Sequence, residues 1–212
     1  MKKLWFVFGL VGLIFTGITA PAVLANGSIE GRAGRAEVRF LEGMIDHHQM
    51  ALDMANDCLA NASTDSLRTL CQNIINAQSA EIKMMQGWLL SWYNIDYSPM
   101  SMSDMTNMME GSMSATQETS MNMGSMPVTD PPMMMGMMAG LNRLQGVDYD
   151  IAFLESMIDH HDDAIHMSQR ILQRDPEGTG HPDLRAQAQK IVDDQTAEIK
   201  TMEDLLVQLG DS

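Results

Sequence analysis

Residues Phe40 to Ala55 and Phe153 to Ser168 are two copies of one phrase, FLEGMIDHHQMALDMA and FLESMIDHHDDAIHMS, identical at ten of sixteen positions. A second pair follows in the same order. Leu67 to Met85 matches Leu184 to Met202, each carrying Gln-x-Ala-Glu-Ile-Lys near its end. Such an internal duplication restricts the chain to folds built from two like halves. Every segment spaces its apolar residues as a helix does, at about 100° per residue. Phe40, Leu41, Met44, Ile45, His48, Ala51, Leu52 and Ala55 share one face, with Glu42, Asp46, Gln49 and Asp53 opposite. In the second segment Leu67, Cys71, Ile74, Ile75, Gln78, Ile82, Met85 and Leu89 form the apolar face. Polar breakers at 61–66 and 175–180 separate the segments, and Pro99 is placed to stop the second helix. The pattern predicts helices near 36–60, 65–97, 147–173 and 182–209.

A hairpin of amphipathic helices cannot bury its apolar stripe alone. The two copies are therefore expected to pack together as an all-α four-helix bundle with approximate two-fold symmetry. Its parts are a first helical hairpin at 36–97, a Met-rich irregular insert at 98–146 and a second hairpin at 147–209. Ahead of them, Lys2 and Lys3, an apolar run from Leu4 to Ile18 and Val23-Leu24-Ala25 read as a signal peptide over 1–25, followed by a flexible linker at 26–35. Retention of the apolar start as an anchor is the alternative. Ile29-Glu30-Gly31-Arg32 matches a protease tag and is read as native linker. No later stretch reaches the roughly 20 apolar residues of a membrane helix. The expected location is therefore periplasmic or secreted.

Cys58 and Cys71 are the only cysteines. In an exported chain a disulfide is their default state, with a thiolate metal pair the alternative. A bond between them sets a register in which facing residues have numbers summing to about 129. His48 then faces Glu81 and Met44 faces Met85. By the duplication, His161 faces Glu198 and Met157 faces Met202.

Removing Lys2 and Lys3 takes the formal net charge from −15 to −17. That excludes nucleic acid and anionic membrane as partners and favours cations. Between Met100 and Met138 lie 14 of the chain's 23 methionines, in a stretch with too few branched aliphatics to build a core. Asp130-Pro131 is a helix-start signal leading towards Leu144. Thioether sulfur is a soft neutral ligand that selects Cu(I), and by the same logic Ag(I), over hard cations. The candidate donors in the insert are Met100, Met102, Met105, Met108, Met109, Met121, Met123, Met126, Met133, Met134, Met135, Met137 and Met138. A low-complexity linker or adaptable apolar contact surface is the other reading of this segment.

Four of the six histidines stand in the two Met-Ile-Asp-His-His repeats. Adjacent helical residues point about 100° apart. His48 and His161 fall within the apolar stripe, as buried partners of Glu81 and Glu198. His47 and His160 fall at its edge, His47 beside Met44, Met50 and Met54, and His160 beside Met157 and Met167. These are the candidate metal ligands of the bundle, His48 and His161 remaining open to either role. His166 and His181 read as surface residues. Asp46-His47-His48 resembles a phosphoesterase triplet, but its Asp is expected to face outward. A di-iron bundle would require four inward Glu and Glu-x-x-His helices, which this chain lacks. No nucleophile and base stand together, so no enzyme is expected.

The paired MIDHH phrases, each followed by Gln-x-Ala-Glu-Ile-Lys in a second helix, resemble the family of exported four-helix-bundle domains long filed as a domain of unknown function. The Met-rich insert makes the chain similar to copper-binding periplasmic members of that family. The resemblance covers about residues 36 to 209. It implies a ferritin-like four-helix bundle, ligands at Met44, His47, His48, Met157, His160 and His161, and sequestration of copper, Cu(I) before Cu(II), with Ag(I) as a mimic. The function expected is a copper chaperone or buffer for copper resistance, whose partners are soft metal ions and a copper export or carrier protein. A non-catalytic interaction module using the Met-rich segment is the second reading, and a ferritin-like metal oxidase the third.

Overall fold

The computed structural model describes residues 27–99, 140–174 and 180–210. The expected signal peptide, the helix start at Asp130-Pro131 and all of the insert's candidate methionines lie outside them. Four long helices form the described part: α1 (Gly31–Asn61), α2 (Asp65–Tyr93), α3 (Gly146–Arg174) and α4 (Pro182–Gly210). Among the described residues there is no strand, and no helix long and apolar enough to cross a membrane.

Local chemistry sets the helix ends. α1 begins at Gly31, inside the expected linker, with φ at +76°, a value that glycine adopts without strain. Gly34 is required for another reason: a Cβ there would lie 1.7 Å from the Ile29 carbonyl oxygen. Thr64 caps α2 by accepting from the Leu67 N–H at 3.3 Å. The end of α2 differs from the sequence expectation. Pro99 is not its stop. Asn94 enters the left-handed region at φ 54° and its N–H closes on the Leu90 carbonyl at 3.0 Å, ending the helix at Tyr93. The chain after it folds back along α1, where Tyr97 Oη donates to Asp46 Oδ2 at 2.6 Å. Asp46, expected to face outward, is thereby covered and only 4% exposed.

α1 packs on α2 and on α3, and α3 packs on α4. The core is divided into two apolar clusters. One combines Met50 to Cys58 of α1, Leu67 to Ile74 of α2, Tyr149 to Met157 of α3 and Met202 of α4. The other combines Phe40 to Ile45, Ile82 to Trp92, Ala164 to Ile171 and Leu184 to Ile191 from the same helices in order. Each cluster takes opposite ends of α1 and α3, so these two helices run antiparallel, as do the members of each hairpin. Cys58 and Cys71 form a disulfide with Cα atoms 6.3 Å apart, in line with the register expected from it.

A buried acid near the start of each first helix fastens the loop of the other hairpin. Asp150 of α3 accepts from the Ser63 N–H and hydroxyl at 2.8 and 2.7 Å. At the equivalent position of α1, Glu37 accepts from the His181 N–H at 2.9 Å and pairs with its ring Nδ1 at 2.6 Å. His181 stacks on Trp92 with centroids 3.8 Å apart. It is thus 2% exposed and not the surface residue that its loop position implied. Asp150→Ala removes both Ser63 bonds to a buried charged acceptor. We expect it to lower unfolding free energy by about 2–3 kcal/mol, against less than about 0.5 for exposed Asp159→Ala, as read by urea denaturation.

Candidate metal centre

Along each helix the two apolar clusters are interrupted at one level by polar side chains. In α1, His47 and His48 lie between Ile45 of one cluster and Met50 of the other; in α3, His160 and His161 lie between Met157 and Ala164. In α2, Gln78 and Glu81 lie between Ile74 and Ile82, and in α4, Gln195 and Glu198 lie between Ile191 and Met202. The duplication places the same residue types at the same level in both halves. The result is a polar layer across the middle of the bundle.

His48 Nε2 meets Glu81 Oε2 at 2.8 Å, and His161 Nε2 meets Glu198 Oε2 at 2.8 Å. These are the pairings that the disulfide register predicts. A carboxylate accepts, so each ring donates from Nε2 and, when neutral, keeps its lone pair on Nδ1. This is the brace that fixes the tautomer and orientation of metal-binding histidines in general. His47 and His160 correct the expectation of an edge position. Both are 1% exposed and their rings face each other with centroids 3.7 Å apart, tilted by 38°. Because α1 packs against α3 as well as α2, what reads as the edge of one stripe is the contact between two helices. His160 Nε2 donates to the His47 carbonyl at 3.0 Å, so its lone pair is also on Nδ1.

Nδ1 of His47, His48, His160 and His161 is buried and without a hydrogen-bond partner among the described residues. Burial holds His47 and His160 well below the usual imidazole range, with the neighbouring histidines adding to the effect. Burial alone would raise Glu81, but the hydrogen bond from His48 and the charges of His48 and Lys190 outweigh it and leave its carboxyl below the ordinary value. Neutral imidazoles with free nitrogen lone pairs are metal-binding forms. Among the described residues no three His, Cys, Asp or Glu side chains converge on one point. The donors therefore fit sites in which one or two imidazoles are joined by thioethers. Met44, Met50, Met54 and Met157 are at most 1% exposed and Met167 is 7% exposed, and they lie in the clusters that flank the layer, with Met85 and Met202.

The sequence matches the family described as "Domain of unknown function (DUF305)" over residues 37–206. The chain belongs to the DUF305 family. Solved structures show the same fold. CopM in its Cu(II)-bound form is 28% identical over 80% of this chain and 94% of its own, with a TM-score of 0.56. CopM has also been solved with Cu(I), at 25% identity over 81% of this chain and 96% of its own, with a TM-score of 0.57, and with silver. A DUF305 protein of Streptomyces coelicolor, designated as secreted, is 27% identical over 82% of this chain and 94% of its own, with a TM-score of 0.60. No protein of curated function matches the sequence.

Gln78 and Gln195 escaped the sequence reading as members of the layer. They are 2% and 3% exposed, and neither amide has a partner among the described residues. The available signal was a polar residue inside an apolar stripe at the same place in both copies. His166 is 60% exposed in side chain and pairs with Asp162, as expected of a surface residue.

The lowered basicity of His47 and His160 fixes a pH dependence. Below the unfolded value near 6.5, an unfolded chain takes up protons that the folded core refuses. Stability is then complete above that pH and falls as pH drops towards the folded value. Each histidine contributes up to about 1.4 kcal/mol per pH unit in this window. Thermal melts of metal-free protein should show Tm falling between pH 7 and 5, and the fall should be smaller in His47→Gln.

Proposed function

We propose that this DUF305 protein is an exported, non-enzymatic copper-binding protein that holds Cu(I), accepts Cu(II) and Ag(I), and acts as a buffer or chaperone in copper resistance. The observation that carries the reading is the buried layer of four imidazoles with unpartnered Nδ1 atoms, two of them braced by Glu81 and Glu198. Imidazole suits copper in both oxidation states and thioether selects Cu(I), so mixed His and Met donors accommodate this ion where Mg(II) or Ca(II) would find no oxygen cage. Support also comes from the similarity to CopM, whose structures hold Cu(I), Cu(II) and silver. The Met-rich insert would capture Cu(I) in labile sites, the bundle layer would hold it more firmly, and exchange between them would pass it to a copper export or carrier protein. A net charge of −15 favours the approach of cations.

Export, to the periplasm or beyond the cell, fits the signal-like start, the disulfide and the secreted designation of the Streptomyces relative. The disulfide closes a loop whose cross-link is worth about 3 kcal/mol, an increment that only an oxidising compartment preserves.

Anaerobic competition with a chromophoric Cu(I) chelator tests this reading on the mature protein. More than one equivalent of Cu(I) or Ag(I) is expected, unaffected by excess Mg(II) or Ca(II). His48→Gln with His161→Gln, whose amides keep a donor for Glu81 and Glu198, should lower the tightest affinity by tenfold or more, about 1.4 kcal/mol or above, with helical circular dichroism retained. Deleting residues 98–140 should lower the stoichiometry and spare that site. Absence of Cu(I) and Ag(I) binding overturns the assignment.

A further inference from the structure

The two halves of the polar layer descend from one duplicated unit, yet their surroundings differ at the seam between α2 and α4. Glu81 of α2 pairs with His48 and also with Lys190 of α4, whose Nζ lies 3.4 Å from Glu81 Oε1. Lys190 is itself held from behind by Asp194. Applying the same alignment in reverse, the residue of α2 that should cover Glu198 is Asn73, and the one that should hold it is Ala77. Neither carries charge. Among the described residues His161 is the only side-chain partner of Glu198. The exposures follow: the Glu81 side chain is 12% exposed and the Glu198 side chain 26%.

We infer that a cation enters the polar layer from the Glu198–His161 side of the α2–α4 seam, and that Lys190 is a positively charged gate over the Glu81–His48 side. Both effects of Lys190 act in one direction. Its Nζ stands against the carboxylate and occupies Glu81, and its charge repels an arriving cation. On the other side the more exposed Glu198 carboxylate, bonded to the His161 ring, gives the ion a first resting point at the border of the layer. The two duplicated pairs thus have different tasks, one receiving and one retaining. This rests on the reading of the layer as a metal site, and it adds to that reading a direction of entry.

Ring accessibility in the metal-free protein tests the gate without relying on copper. Diethyl pyrocarbonate acylates neutral imidazole nitrogen, and peptide mapping by mass spectrometry gives a rate for each histidine, with exposed His166 as the internal reference. In the mature protein at neutral pH, His161 should react about two- to fivefold faster than His48, the range set by the strength of an exposed ion pair. Lys190→Asn should raise the His48 rate towards that of His161, and Asn73→Lys should reduce the His161 rate towards that of His48. Both positions are exposed, and unchanged circular dichroism confirms the fold of each variant. Equal rates for the two rings in the unaltered protein, or a His48 rate unmoved by Lys190→Asn, overturn the gate. A parallel reaction with Cu(I) bound separates the two ideas. Protection of both rings supports the metal site, whereas protection of neither overturns the copper reading and leaves the metal-free rates to decide on unequal access.

Discussion

The hydrogen bond from each inner histidine to a glutamate of the neighbouring helix is the interaction on which the rest of the bundle depends. His48 to Glu81 and His161 to Glu198 each join the two helices of a hairpin at the level where both apolar clusters stop. A buried imidazole without such a partner is costly, and so is a half-buried carboxylate. Pairing them fixes the register of the hairpin, and the register then decides which apolar residues meet above and below. The disulfide repeats the same constraint one end further on, in the first hairpin only. What the pairing leaves open is the other nitrogen of each ring. With the amides of Gln78 and Gln195, the unpartnered Nδ1 atoms leave hydrogen-bonding capacity unused in the middle of a core. Buried polar groups without a protein partner are completed by ordered water or by an ion, and the imidazole nitrogens are the ones suited to a soft metal.

Much of this was legible in the chain because it is written twice. Helical spacing and duplication give four helices and two hairpins, and the disulfide register places His48 against Glu81 without further information. The features that were not legible depend on contacts between helices distant in sequence. His47 and His160 read as edge residues on a single helix, and only the packing of α1 on α3 makes that edge a centre. Asp46 is outward on its helix until Tyr97 folds over it. His181 sits in a loop, the usual place for a surface residue, but Glu37 from the other hairpin draws it inward. The end of α2 turned on Asn94, whose tolerance of the left-handed conformation acted before Pro99 could.

Duplication also accounts for the way the two halves diverge. Matching acids, Glu37 and Asp150, fasten matching loops, although one holds a histidine and the other a serine. Met54 and Met167 correspond, while Met50 faces its cluster where the second copy has exposed Asp163. Lys190 and Asn73 belong to the same class of difference. The residues that hold the layer together have been kept in both halves, and those at its border have changed. Symmetry is thus retained where packing demands it and relaxed at the solvent-facing border.

The most direct test of the central claim is the anomalous scattering of a silver-soaked crystal of the mature protein, since it locates each ion and its ligands together. The predicted result is a silver peak inside the polar layer, between the two apolar clusters, bonded to Nδ1 of at least one of His47, His48, His160 and His161 and to a flanking methionine. Silver confined to the surface, with the layer empty at full occupancy elsewhere, would contradict it.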